Sequence, residues 1–346
     1  MQLSLAPIQA QLRTPLAAGH GSVTERELLL VGLTAADGLI GHGEAAPLPS
    51  YDGVTIAEVA TELQACRAAL AGADGDPRAD VLAQCAEATV LPQALAAIDL
   101  ALWDLEGRRA GEPIWRRLGV QAPEPVAVNW TIASGDRAGA ADEAARAREA
   151  GFDTLKAKVA IGDDAGRLAA VRAVAGPQMA IRIDANRAWS GAEAQAALRA
   201  LEPLGIELCE EPVSGLESMR SLSALTPIPL ALDESATDPR ALEHRVCPLI
   251  CLKISRCGGL SGLLAAAGRA RTAGYEVFLA STLDGPLGIA AALHAAARLA
   301  PARACGLATL SMFLDRADPL PAVGGRIRVP DGPGLGRGLL DWYRPV

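Results

Sequence analysis

Three lysines stand among 32 basic residues, and two of them, Lys156 and Lys158, share the short stretch "TLKAKVA". The third, Lys253, lies in "ICLKISR". Every other basic position is arginine. Arginine keeps its charge at any physiological pH, whereas lysine can release and recover a proton once its surroundings weaken the ammonium. These residue types at these places point to proton transfer.

Carboxylates recur on the same pattern. From about residue 126, short apolar runs ending in a polar residue alternate with Ala-rich helical stretches. The runs are "VAVNWTI", "TLKAKVA", "AIRIDAN", "IELCEEP", "PLALDES", "ICLKISR", "EVFLAST" and "ACGLATL". Runs two to six end at Lys158, Asp184, Glu210, Asp233 and Lys253, spaced 26, 26, 23 and 20 residues apart. Each interval fits one strand, one helix and two short connections. Eight such units predict an α/β fold, a (β/α)8 TIM-type barrel. A doubly wound open sheet is the competing architecture, but no Gly-rich phosphate loop follows the first run.

Strand ends gather on the C-terminal face of such a barrel. Asp184, Glu210 and Asp233 would then be neighbours, and three converging carboxylates resist ionising together without a cation. An oxygen-only set favours a hard ion, Mg2+, with Mn2+ as a substitute. Alternation along a strand turns Lys156 and Lys158 to the same side, the barrel axis. Runs two and six lie four apart in an eight-stranded cylinder, so Lys253 would face them across the site. A second cation at Lys156 and a nearby divalent ion both disfavour the charge on Lys158, which suits it to general-base work near neutral pH. The chemistry implied is removal of the α-proton from a metal-bound carboxylate to give an enediolate. Return of the proton from the opposite face would racemise or epimerise; loss of a β-group would eliminate or cycloisomerise.

Composition narrows the setting. A net charge of −8 without long like-charge blocks argues against a nucleic-acid surface. No run of apolar residues is long enough for a membrane span, and the N-terminus lacks the pattern of a signal peptide. Seven scattered cysteines with no C-x-x-C pair fit a reducing cytoplasm, without a disulfide framework or zinc site. A cytoplasmic homo-oligomer acting on a small-molecule carboxylate is expected. Residues 1–124 read as a separate α+β unit, with two strands joined at Asp37-Gly38 and helical periodicity around 55–72 and 92–110. The prolines of "QAPEPVAV" mark a boundary, 125–310 form the barrel, and the turn-rich 311–346 returns to the N-terminal unit.

With these motifs in view, nearly the whole chain resembles the enolase superfamily, specifically its muconate-lactonizing subgroup. "KAK" is similar to that family's strand-two motif, "DAN" and "EEP" to its first two metal-ligand motifs, "DES" to the third, and "LKISRCGG" to its strand-six lysine. The resemblance implies Asp184, Glu210 (rather than Glu211) and Asp233 as metal ligands, supported by Asn186 and Glu234. It implies Lys158, rather than Lys156, as the acid/base. "GEAAPLPSYDG" and "AAIDLALWDLEGR" look like the family's capping domain, which would bring His20 and Tyr51 near the substrate. No His ends strand seven, where "LASTLDG" offers Asp284. Gly306 and Ala308 stand where dipeptide epimerases carry acids. The last two barrel runs and "VNWTIAS" look similar to the shorter o-succinylbenzoate synthases, and "SRCGG" resembles the group that holds N-acylamino acid racemases. The favoured expectation is dehydration of a cyclohexadiene carboxylate, with Lys158 as base and Lys253 stabilising the dianion. The alternatives are N-acylamino acid racemisation, dipeptide epimerisation and muconate cycloisomerisation.

Some signals read two ways. Gly258-Gly259 could bind an anion at a helix N-terminus or simply make a tight turn. Asp284 could cap the following helix or face the site. Trp130 and Trp189 could wall the pocket or pack, and His294 suits a helix surface or packing. A metal-dependent hydrolase is a poorer fit because no His ends a run. A non-catalytic barrel would be expected to have lost one of the five polar strand ends, and all are present.

Overall fold

The structure, a computed structural model, describes residues 1–18 and 21–344. Three antiparallel strands, β1 (Gln2–Ala18), β2 (Gly21–Thr34) and β3 (Ile40–Ala45), open the chain in that spatial order. Gly38, at φ 81°, makes the expected turn between β2 and β3 by donating its N–H to Ala35 at 3.0 Å. The helix Pro92–Ala110 packs on β3. A Cβ at Gly41 or Gly43 would come within 2.1 Å of the helix carbonyls of Ala101 and Ala97, so only glycine lets strand and helix approach this closely.

Seven of the remaining strands build the barrel. After β4 (Val126–Ala127) come β5 (Trp130–Ile132), β6 (Thr154–Lys158), β7 (Ala180–Asp184) and β8 (Ile206–Glu210). Then follow β9 (Leu230–Leu232), β10 (Leu249–Lys253) and β11 (Glu276–Ala280), and β5 to β11 form one parallel sheet in sequence order. The eighth run supplies no regular strand, yet it closes the cylinder. Cys305 bridges Val128 on one side, and Gly306 bridges Ala280 on the other. The first run is also divided: β4 pairs antiparallel with β12 (Arg326–Ile327) from the C-terminal segment, and only β5 joins the barrel.

Side chains alternate across the barrel wall. Lys156 and Lys158 stand beside Arg182 and Asp184, and these beside Leu208 and Glu210. The lower interior is filled by Leu208, Ala231, Leu249, Cys251, Phe278 and Ala280, with Arg182 buried over the Phe278 ring. An apolar plug below thus leaves the ionisable layer above.

The C-terminal segment returns to the first strand and to the helix Pro92–Ala110: Leu314 donates to the Gln11 carbonyl at 2.8 Å, and Leu335 donates to Asp104 at 2.9 Å. Among the described residues no helix is long and apolar enough to cross a membrane. All seven cysteines are free.

Candidate active site

At the C-terminal ends of the strands, Asp184, Glu210 and Asp233 each present an oxygen, and the three oxygens lie within 4.8 Å of one another. All three residues are buried. An octahedral cation with bonds near 2 Å holds its ligand atoms about 3–4 Å apart, so small side-chain adjustments suffice for one ion. Glu211 belongs elsewhere. It turns from the mouth to accept the Asp233 N–H at 2.7 Å and the Ser235 hydroxyl at 2.5 Å, bracing the loop that carries Asp233.

Three ammonium groups neutralise the three acids. Lys156 reaches Glu210 at 2.5 Å and Asp184 at 2.9 Å. Lys158 donates to Asp184 at 2.7 Å and to the Asn186 side-chain oxygen at 2.6 Å. Lys253 meets Asp233 at 2.7 Å from β10, four strands away from β6. Burial opposes the charge on Lys156, but Asp184, Glu210 and Asp233 outweigh it and raise its pKa. Lys253 is raised for the same reason, chiefly by Asp233 against its own burial. Asp184 is buried too, yet Lys156 and Lys158 hold it well below the usual carboxylate range. Burial pushes Glu210 up, and Asp184 and Asp233 add to this against the pull of Lys156. Crowded acids of this kind are a ready acceptor for a cation.

Around this core stand the supporting groups. Asn186, held at φ 46° in the left-handed region, donates to Glu234 at 3.0 Å while receiving Lys158. Burial, helped by Asp233 and Asp184, pushes Glu234 up to about 8, and its second oxygen is buried without a hydrogen-bond partner. Tyr51 descends from the N-terminal half, donates to Asp233 at 3.0 Å and lays its ring 4.0 Å from the Lys253 ammonium.

A cavity of about 100 Å3 opens above Lys156, Lys158 and Lys253. Leu16, Val23 and Leu48 close it from the N-terminal half, and Leu283 and Met312 from the barrel side. Ser50, Thr131, Ser281, Thr282 and Thr309 supply hydroxyls, and Gly306 lines it as well. These hydroxyls escaped the sequence reading, although Ser281 and Thr282 do end the seventh run. The Leu16 and Val23 contributions had no sequence signal, because they depend on how the N-terminal sheet sits over the barrel.

Other expected residues sit elsewhere. His20 lies outside the described residues. Asp284 neither caps its helix nor lines the cavity; it is buried and accepts the N–H and hydroxyl of Thr282, which does line it. His294 is wholly buried in packing, and burial pushes its pKa down to about 4. Trp130 packs edge-on against Phe152 and is absent from the cavity wall, as is Trp189. The helix N-terminus after Gly258 does hold an anion, but the protein's own: Asp99 accepts the Ser261 N–H at 2.8 Å and hydroxyl at 2.6 Å. A Cβ at Gly259 would lie 2.5 Å from that carboxylate, which requires glycine there.

Residues 139–341 match the family described as enolase C-terminal domain-like, and residues 2–119 match the mandelate racemase / muconate lactonizing enzyme N-terminal domain. An N-succinyl-L-Arg/Lys racemase of Bacillus cereus is 26% identical, covering 85% of this chain and 83% of its own. A muconate cycloisomerase of Acinetobacter lwoffii is 30% identical over 89% and 86%. The solved dipeptide epimerase of Cytophaga hutchinsonii, complexed with Mg and the dipeptide D-Ala-L-Val, superposes with a TM-score of 0.87 at 26% identity, covering 99% and 98%. The chain belongs to the enolase superfamily, in its muconate-lactonizing group, and is an enzyme of that family.

Proposed function

We propose that the protein is a Mg2+-dependent isomerase that racemises or epimerises a carboxylate substrate at its α-carbon. The observation that carries this reading is the pair of lysines, Lys158 and Lys253, rising from strands four apart on opposite sides of the three acids. Asp184, Glu210 and Asp233 would hold the cation, which when bound supplies a Lewis acid to the substrate carboxylate. Lys158 takes the α-proton from one face, and Lys253 delivers a proton to the other; the reverse direction exchanges their roles. Lys156 stays charged between Asp184 and Glu210 and keeps the carboxylates oriented. Asn186 holds the Lys158 amine in line, and Tyr51 shields Lys253 from water.

The expected dehydration finds no support in the relatives above, which carry racemase, epimerase and cycloisomerase names. Proton return is therefore the better reading, as it needs no leaving group. With Mg2+ in D2O, a single enantiomer of an N-acylamino acid should lose optical activity as its α-hydrogen is replaced by deuterium. Failure of exchange across N-acylamino acids, dipeptides and cyclic acids would refute the proposal.

A further inference from the structure

Lys158 is held at both ends. Asp184 and Asn186 fix its ammonium. The backbone end needs another device, because Lys158 is the last residue of β6 and the ladder to β5 stops one residue earlier, at Ile132 beside Ala157. The Val159 N–H still donates to the Asp184 carbonyl of β7 at 3.0 Å. The Lys158 carbonyl, on the opposite edge of the same planar peptide, therefore points past the end of β5. Arg167 fills that place. It lies in the helix Asp164–Ala175, is 1% exposed, and donates through Nη2 to the Lys158 carbonyl and, at 3.1 Å, to Asp164. Asp164 in turn accepts the Ala160 N–H at 2.6 Å, with Ala160 at φ 62°, in the left-handed region that a side chain disfavours. One guanidinium and one carboxylate thus lock residues 158–160, where the chain leaves the barrel wall.

Stability alone does not account for this arginine. Its Nε and Nη1 are buried with no hydrogen-bond partner among the described residues. Burying a cation with unsatisfied donors is costly, and an apolar side chain would avoid that cost, giving up only the bonds to Lys158 and Asp164. The second lysine is held differently. The Lys253 carbonyl accepts the Arg256 and Cys257 N–H groups at 3.1 and 3.0 Å, within the turn of its own loop. Arg167 therefore acts on one wall of the site, the one that carries Lys158.

We infer that Arg167 is a positioning residue for Lys158, fixing the carbonyl and the turn behind it so that the amine meets one face of the substrate α-carbon. This rests on the α-proton reading and adds a residue that serves one proton-transfer face and not the other. A misplacement of about 1 Å at a reacting group can cost about 100-fold in rate.

Exchange with retention of configuration separates the two faces, because each configuration presents its α-hydrogen to one lysine. The probes are N-acetyl-L-leucine, N-acetyl-D-leucine, L-alanyl-L-leucine and L-alanyl-D-leucine, incubated with Mg2+ in D2O. Deuterium at the leucine α-carbon of the unconverted probe is read by proton NMR after chiral chromatography. Lys158→Arg identifies the configuration that Lys158 serves. For that configuration Arg167→Met should slow exchange by about 10–100-fold, while the other stays within about threefold of wild type. Arg167→Lys, which keeps a donor, should recover most of the loss. Asp164→Ala, at a half-buried position, serves where Arg167→Met does not fold, and should show the same one-sided loss on a smaller scale. Equal losses at both configurations, or no loss at either, overturn the inference while leaving the α-proton reading intact. If the wild-type protein exchanges none of the probes, or Lys158→Arg silences neither configuration, the α-proton reading and the inference fall together.

Discussion

Tyr51, from the N-terminal half, and Asp233, at the end of β9, meet at the mouth of the barrel, hydroxyl to carboxylate at 3.0 Å. The Tyr51 ring also covers the Lys253 ammonium at 4.0 Å, so one aromatic side chain touches a candidate metal ligand and a candidate acid/base. Burial raises the Tyr51 pKa well above its ordinary value, which keeps the phenol a donor to Asp233. Tyr51→Phe keeps the ring over Lys253 and should lower kcat by about ten- to a hundredfold, the scale of one hydrogen bond to a charged group. Tyr51→Ala removes the ring as well and should cost more. Steady-state kinetics compare the two, and equal losses would show that the ring contributes nothing.

Asp233 supplies one of three negative charges at the candidate ion site. Asp233→Asn lowers that charge by one while keeping the shape, and calorimetric Mg2+ affinity should fall at least about tenfold. Unchanged affinity would remove Asp233 from the ligand set.

The strand-end residues were legible because their spacing follows the repeat, and a period imposed by strand, helix and loop lengths survives in sequence. Lys158, Asp184 and Glu210 even stand in direct lateral register. The irregular strands were less legible. The first run looks continuous, yet its start is taken by β12 from almost two hundred residues away, a competition that local pattern cannot reveal. Asp99 and Arg26 were missed for a similar reason. Asp99 is a polar residue in an apolar stretch and Arg26 stands between two glutamates, and their partners, Ser261 for one and Leu283 for the other, lie far along the chain.

Arg26 joins the loop that leads to Tyr51 to the barrel loop that carries Leu283, itself at φ 58°. Arg26→Met leaves three buried carbonyls without this donor, at about 1–3 kcal/mol each if water cannot replace it. Thermal unfolding should shift down by several degrees, and KM should rise more than kcat falls, because Leu48 and Leu283 line the cavity from both sides of this clamp. A change in Tm with kinetics untouched would make Arg26 purely structural.

Glu44 gives a pH signature remote from the candidate ion site. It is fully buried against the Tyr343 hydroxyl and the Gly285 N–H, and burial pushes its pKa up to about 8. The folded protein thus binds a proton that an unfolded glutamate, near 4.5, releases. This contribution to stability is complete below about pH 4.5 and is lost as pH rises through 8. Glu44→Gln should flatten the fall in Tm between pH 5 and 8 relative to wild type. Parallel pH profiles for the two proteins would contradict the protonated assignment.

The central claim is that Lys158 acts by exchanging a proton. Lys158→Arg preserves the positive charge but removes the capacity to titrate, so α-deuterium incorporation into an N-acylamino acid in D2O with Mg2+ measures the claim directly. The account predicts that exchange from one enantiomer falls by at least about 10²–10⁴-fold, with circular dichroism and Tm unchanged. Exchange of both enantiomers at rates near wild type would contradict it.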